Sequence, residues 1–456
     1  MSIKNDLQLK LASFAQKGRW NNILVKIISA QLSWILIISA IVRSVYYTAL
    51  LNTQVVDTAS YINYHANLLM GETDGRRTPV YPYFIKLIGL FGHQNLIGHV
   101  ITAQMVISFL SIIIFYKVVQ ACFKKRAVIF AASLLYGVML PVINFDKIVI
   151  TESLSVTCSL IFIYMMAAYL QKPGNIKAWL LTLYVFIAIM LRPSFIYLLP
   201  LIMAFWFLRW MIFKKDWKMC LSGLAASVVV ILLILGYSNL NKRNVDFNGI
   251  SLISNNNEMA VIEQAGIYMY GNDPEISAAV KSNLCLSRQC SDQKGLGINI
   301  AKRYSPERIH QFIVACIKNQ PVVYALHMCG KLIDLQSANI FTNYADHKLT
   351  YLAFRVNNIE YLIFCVTFNL LYILIAFSLA LIIYSWIRSK QVPWFKMVLW
   401  LLITGQMAVA IIGGYSEYQR LILAVMPALI ILVFSYIDKI YFAIDHDKWQ
   451  RYPASV

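Results

Sequence analysis

Long apolar runs recur along this chain, and they constrain its fold more than any other feature. The segments ILVKIISAQLSWILIISAIV (23–42), IGHVITAQMVISFLSIIIFY (97–116), AVIFAASLLYGVMLPVI (127–143) and IVITESLSVTCSLIFIYMMAAYL (148–170) are each about long enough to cross roughly 30 Å of hydrocarbon as a helix. Runs of the same kind cover 176–191, 194–210, 219–237, 361–384, 395–413 and 421–437, which makes about ten spans. A chain that is 59% hydrophobic and 13% charged, with a mean hydropathy of +0.62, has more apolar surface than one water-soluble core can bury. The expected fold is an all-α polytopic membrane protein.

The net charge of +19 is explained by where the basic residues fall. With the N-terminus inside, the inner segments hold Lys4, Lys10, Lys17 and Arg19, then Lys124, Lys125 and Arg126, then Lys172 and Lys177. The alternation continues with Lys214, Lys215 and Lys218, with Arg388, Lys390 and Lys396, and with Lys448 and Arg451. Every second loop is basic, so ten spans with both termini cytoplasmic is self-consistent. The basic excess then reports topology, and nucleic acid is not an expected partner. The N-terminus has no short apolar region followed by a small-residue cleavage site, so the first span is expected to stay as an anchor.

This topology divides the chain into three parts. Residues 1–239 carry seven spans and a first outside loop at about 44–94; residues 240–357 form a larger outside segment; residues 358–456 carry three spans. In the outside segment, SPERIHQFIVACIKNQPVVYALHMCGKLIDL reads as two amphipathic helices broken at Asn319-Gln320-Pro321, on the membrane surface or as a re-entrant pair, with Ser305-Pro306-Glu307 as the helix start. Cys285 and Cys290 would close a small loop in an oxidising compartment, and free thiols are the alternative. No Cys or His spacing points to zinc.

Ionisable groups at the rim of a span cost up to about 2.5–3.5 kcal/mol on insertion scales, so the ones present are candidates for function. On the outer side they are Arg43, Asp57, Glu72, Asp74, Arg76, Arg77, Asp146, Lys147, Glu152, Arg192, Glu417 and Arg420. They are far apart in sequence, yet the topology brings them to one leaflet, as needed to hold an anionic head group above a buried lipid tail. Arginine suits that task because its fork contacts phosphate at two points. Asp57 opens the amphipathic stretch DTASYINYHANLLMGE, where it would cap the helix, and Glu152 starts the fourth span. In DGRRTPVYP (74–82), Pro79 and Pro82 would fix a turn that presents Arg76 and Arg77 before the chain re-enters the membrane.

These residues carry a resemblance. The series Arg43, Asp57-x-x-x-Tyr61, Ala66-Asn67-Leu68-Leu69-x-Gly71 and Arg77-Thr78-Pro79-x-Tyr81-Pro82 resembles the first extracytoplasmic loop of the GT-C glycosyltransferases. That family includes the dolichyl-phosphate-mannose protein mannosyltransferases and the bacterial lipid A aminoarabinose transferase. Met190-Leu191-Arg192-Pro193 is similar to their Leu-Arg-Pro turn, and Glu417-x-x-Arg420 with Pro427 to the turn before their last span. Many relatives carry a paired acidic motif where Asp57 here stands between Val56 and Thr58.

The resemblance implies an enzyme of a plasma membrane, such as a bacterial inner membrane, that moves a sugar from a polyprenyl-phosphate carrier to a glycan, lipid or protein acceptor on the extracytoplasmic face. A phosphate-linked sugar has a good leaving group, so such an enzyme needs a base for the acceptor hydroxyl and cations for the departing phosphate. Asp57 is the expected base, and Glu152 the expected orienter of hydroxyls. Arg76, Arg77, Lys147, Arg192 and Arg420, with Glu417, are expected at the lipid phosphate or sugar. Tyr61 and Tyr81 would stack on sugar or anchor at the interface. No cofactor is certain; a divalent metal is an open alternative, with Asp57 as its ligand. A polymerase or ligase acting on lipid-linked polysaccharide and a lipid or solute transporter are the rival readings. Against a transporter, no internal repeat is found and the charges lie at a rim rather than at mid-span.

Overall fold

The computed structural model describes residues 31–48, 55–92, 94–212, 217–287, 300, 303–334, 372–388, 392–413 and 418–451. All regular structure among them is helical. Helix α1 covers 31–48, and a short α2 (Val56–Ile62) follows it. The next elements are α3 (Val80–Gly89), α4 (Leu96–Cys122), α5 (Arg126–Gly137), α6 (Leu140–Asp146), α7 (Glu152–Gln171) and α8 (Asn175–Leu191). A 3₁₀ turn at Pro193–Tyr197 leads to α9 (Leu198–Ile212) and α10 (Trp217–Val245). The segment after α10 supplies α11 (Leu252–Gln264), α12 (Pro274–Ser287), α13 (Pro306–Asn319) and α14 (Pro321–Asp334). The chain closes with α15 (Tyr372–Arg388), α16 (Trp394–Gly413), α17 (Tyr418–Ile422) and α18 (Met426–Arg451).

Seven helices among the described residues are long and apolar enough to cross a membrane, so the all-α polytopic fold stands. The count of about ten is not established by that criterion. Two of the other expected spans appear as shorter apolar helices, α8 and α15, and the first is helical over 31–48. Gly174 and Pro193 bracket α8 and keep it to 17 residues, because glycine starts it in extended backbone and proline forces Arg192 out of the helical region. The pair α13 and α14 bends by 96° at the predicted break and would make an eighth crossing only if counted as one span.

The helices bury a single large core. Helix α4 packs on α5 and α7, α10 lies across α8 and α9, and α18 returns to pack against α5 and α7. Phe115 stacks on Tyr136 at 4.4 Å, and Trp206 meets Tyr169 edge-on at 5.0 Å. Within a bilayer such contacts stabilise by close packing and internal hydrogen bonds rather than by removing apolar surface from water. A buried ion pair adds specificity: Arg43 Nη1 lies 3.0 Å from Asp146 Oδ2, which also accepts from Tyr47 at 2.8 Å, while Ser153 holds the other carboxylate oxygen.

Helices α11, α12 and α13 share a small core of their own. Ile309, Phe312, Ile313 and Cys316 recur at helical spacing on α13 and meet Met259 and Ile262 of α11, with Ile276 and Val280 of α12 alongside. Ser305 caps α13 by accepting from the Arg308 N–H, as its position before Pro306 predicts. Burial of side chains this size contributes about 1.5–3 kcal/mol each, which holds these helices together as a packed unit.

Candidate active site

Asp57 was expected to cap its helix, and it does not. The cap position belongs to Val55, whose N–H donates to Thr58 Oγ1 at 3.3 Å while the Thr58 N–H donates to Val55 O at 2.9 Å. The amphipathic stretch is also shorter than expected, stopping at Ile62 before a 3₁₀ turn at Leu68–Met70 and a left-handed Gly71. With the helix end satisfied by threonine, the Asp57 carboxylate is available for other partners. Oδ1 accepts from Arg77 Nη2 at 2.6 Å, and Oδ2 from Arg420 Nη2 at 3.2 Å.

Glu152 begins α7 as the sequence suggests, but it is buried against cations and not turned to solvent. Its Oε1 accepts from Arg192 Nη2 at 2.8 Å and pairs with Arg420 Nε. The result is a chain of alternating charge, Arg77–Asp57–Arg420–Glu152–Arg192, drawn from the first loop, α2, α7, the α8 end and α17. Burial raises the Asp57 carboxyl pKa, but Arg77 and then Arg420 outweigh it, and the group ends below the ordinary value of 3.8.

A cavity of about 410 Å³ opens beside this chain. Arg76, Arg77, Arg192 and Arg420 all line it, with Tyr61, Thr78, Thr151 and Ser194 between them. Asp57 and Glu152 are not among the lining residues; Asp57 keeps about a third of its side chain (34%) exposed beside Arg77 and Arg420, whereas Glu152 is buried behind Arg192 and Arg420. Two lining residues have buried polar atoms without a partner among the described residues, Arg192 Nη1 and Ser194 Oγ, and Glu152 Oε2 is open in the same way. Unmet buried donors and acceptors beside a cavity are where a ligand supplies the missing bonds.

The arginines divide by commitment. Arg77 is spent inside the protein: Nε donates to Ser60 at 2.8 Å, Nη1 to the Tyr61 hydroxyl at 2.9 Å, and the guanidinium lies 4.1 Å over the Tyr61 ring. Arg76 is exposed at the cavity, and its backbone carbonyl accepts from Ser251 at 2.6 Å. The turn that separates them from Asp74 needs Gly75, which has φ +67° and would place a Cβ 2.5 Å from Val245 Cγ2. Burial raises the Asp74 carboxyl, with Arg76 and Arg77 offsetting part of that rise.

The other predicted residues are placed elsewhere. Lys147 donates to Tyr47 O at 2.6 Å and is not part of the cavity lining, so the structure does not bring it to the arginines. Tyr81 is fully buried and donates to Gln104 at 2.5 Å, with its ring edge-on to Tyr61 at 4.8 Å; it supports the wall and does not reach the cavity. Glu417, Cys290 and the Cys285 side chain lie outside the described residues. Proline 79 and Pro82 do form the turn, Pro79 as the cap of α3 and Pro82 within its first turn.

Sequence reasoning missed one wall. Helix α11 contributes Ser251, Ile253, Ser254, Asn257 and Glu258 to the lining, and the only signal for it was a serine before an apolar stretch. As for a divalent metal, no group of three His, Cys, Asp or Glu side chains converges among the described residues. Both Asp57 oxygens already face guanidinium groups, which supply the positive charge a metal would bring. The donor set at Asp57 does not fit a divalent ion.

Residues 76–235 match the family model of the dolichyl-phosphate-mannose-protein mannosyltransferases. The match covers about a third of the chain, includes the arginine turn, Glu152 and Arg192, and bears out the GT-C resemblance read from the sequence. Among solved structures, this chain is similar to the oligosaccharyltransferase of Archaeoglobus fulgidus in complex with zinc and sulfate, at 13% identity and a TM-score of 0.44, over 90% of this chain and 50% of that one. It is also similar to AglB from the same organism in complex with an inhibitory peptide and a dolichol-phosphate, at 12% identity and a TM-score of 0.43, over 91% of this chain and 52% of that one. The chain thus spans about half the length of these structures. No curated protein matches it by sequence.

Proposed function

We propose that this chain is an integral membrane glycosyltransferase that moves a sugar from a polyprenyl-phosphate donor to an acceptor on the extracytoplasmic face, with both termini on the cytoplasmic side. The observation that carries this reading is the cavity lined by four arginines, two of which, Arg192 and Arg420, are aimed by the buried Glu152. A cavity of about 410 Å³ is at the small end of ligand pockets, roughly 300–1,000 Å³, and suits a single sugar with its phosphate better than an oligosaccharide. The family match at 76–235 supports the same class of reaction, with mannose as the first sugar to test.

In this reading Asp57 takes the proton of the acceptor hydroxyl as that oxygen attacks the anomeric carbon. The bond from that carbon to the phosphate oxygen breaks, the configuration inverts, and the electron pair leaves on the polyprenyl phosphate. Arg192, Arg420 and Arg76 hold the phosphate as its charge grows. Arg77 positions Asp57 and keeps it ionised, which is a different role from the direct phosphate contact expected from sequence. Glu152 orients the two guanidiniums from behind the cavity wall. No step is routed through a metal.

The test is turnover of polyprenyl-phosphate mannose by the purified full chain in detergent. Release of polyprenyl phosphate that fails in Arg192→Ala and Arg420→Ala supports the reading; a wild type that never consumes a polyprenyl-phosphate sugar overturns it.

A further inference from the structure

Helix α11 is fastened beside the cavity at its N-terminus and near its middle. The Ser251 hydroxyl donates to Arg76 O at 2.6 Å, the Leu252 N–H donates to Gly75 O at 2.8 Å, and Asn257 Nδ2 donates to Gly413 O at 2.8 Å. One face of the helix, with Met259 and Ile262, packs into the core shared with α12 and α13, and Asn255 on that side donates to Pro306 O at 2.9 Å. The other face turns Ser254, Asn257 and Glu258 to the cavity, at spacings of three and four residues that align them in one row.

The cavity lining therefore combines two chemistries. The first loop, the α8 end and α17 supply the four arginines; α11 supplies a hydroxyl, an amide and a carboxylate. Glu258 is the one carboxylate among the lining residues, and no hydrogen bond or ion pair to it is found among the described residues. It is half-buried, burial raises its pKa, and His310 of α13 lowers it in part. A carboxylate with open valence, next to a serine and an amide, accepts and donates as the adjacent hydroxyls of a sugar require.

Resting on the transferase reading above, we propose that the Ser254–Asn257–Glu258 face is the acceptor subsite, that its ligand is a carbohydrate, and that Glu258 accepts a hydrogen bond from an acceptor hydroxyl. The cationic wall then takes the donor phosphate and the α11 wall selects what receives the sugar. The outside segment thereby gains a role in specificity that its lack of any recognisable motif concealed.

The experiment uses the full chain with polyprenyl-phosphate mannose as donor and methyl α-mannoside as acceptor probe, measuring transfer to the glycoside relative to transfer to water. The expected result is a fall in that ratio of ten-fold or more in Glu258→Ala, a smaller fall in Glu258→Gln, which keeps an acceptor oxygen, and a fall in Ser254→Ala. An unchanged ratio in Glu258→Ala overturns the proposal. So does a parallel loss of both products, which marks a structural role, or transfer by the wild type to a serine-containing peptide and not to the glycoside. Failure of the wild type to consume the donor at all would instead count against the transferase reading.

Discussion

Arg420 Nη2 lies 3.2 Å from Asp57 Oδ2, although 363 positions separate the two residues in the chain. The same guanidinium pairs through Nε with Glu152, so one side chain near the last span ties α2 to the start of α7. The cavity's charge depends on this link.

Glu152 is a costly carboxylate to remove. Its side chain is fully buried and serves two arginines, so Glu152→Ala leaves both cations short of a partner in a poorly hydrated site. Breaking a buried pair in this way costs about 3–5 kcal/mol. Thermal unfolding of the detergent-solubilised variant should show a lowered Tm, and Glu152→Gln should lie between it and wild type.

Asp57 is expected to matter for turnover more than for donor capture. General-base help is typically about 10²- to 10⁴-fold, so Asp57→Asn should lose activity in that range while still binding the lipid donor. Steady-state rates together with donor-binding isotherms separate the two effects.

The pH dependence follows from the arginines. The native Asp57 pKa is depressed, so the carboxylate's stabilising contribution is complete above its ordinary value of 3.8 and is lost only as pH falls through the lower native value. At saturating acceptor, kcat should therefore show no acid limb from Asp57 in the mildly acidic range. Arg77→Gln removes the larger of the two opposing cations, leaves burial less opposed, and should move an acid limb upward. A wild-type limb that stays in place in this variant contradicts the assignment.

The turn before the arginines should be intolerant of a side chain at position 75. Left-handed backbone costs a non-glycine residue roughly 1–2 kcal/mol, and the new Cβ would also meet Val245. Gly75→Ala is expected to lower Tm, and Val245→Ala in the same chain should restore the part due to the clash but not the part due to φ.

How far the sequence reaches is visible in these same residues. The apolar runs mark the spans because hydrophobic length is a local property, and the one-sided charges mark the rim because topology follows from where lysine and arginine fall. Arg192 was legible through Pro193, which forces it out of the helix and into the cavity. What was not legible is pairing. Nothing local distinguishes Arg77, consumed by Asp57 and Tyr61, from its neighbour Arg76, exposed at the cavity; only the packed loop does so. Lys147 was expected at the lipid phosphate beside the arginines, yet it turns to the Tyr47 carbonyl, and nothing local singles out Glu258, which only the packing of α11 brings to the cavity.

The central claim is that a polyprenyl-phosphate sugar occupies the arginine-lined cavity and that Asp57 acts after it binds. Mass spectrometry of the lipids that co-purify with wild type and with Asp57→Asn tests this most directly. The account predicts a polyprenyl-phosphate monosaccharide that accumulates on the variant. Absence of any polyprenyl lipid from both proteins, or a long oligosaccharide pyrophosphate on both, would contradict it.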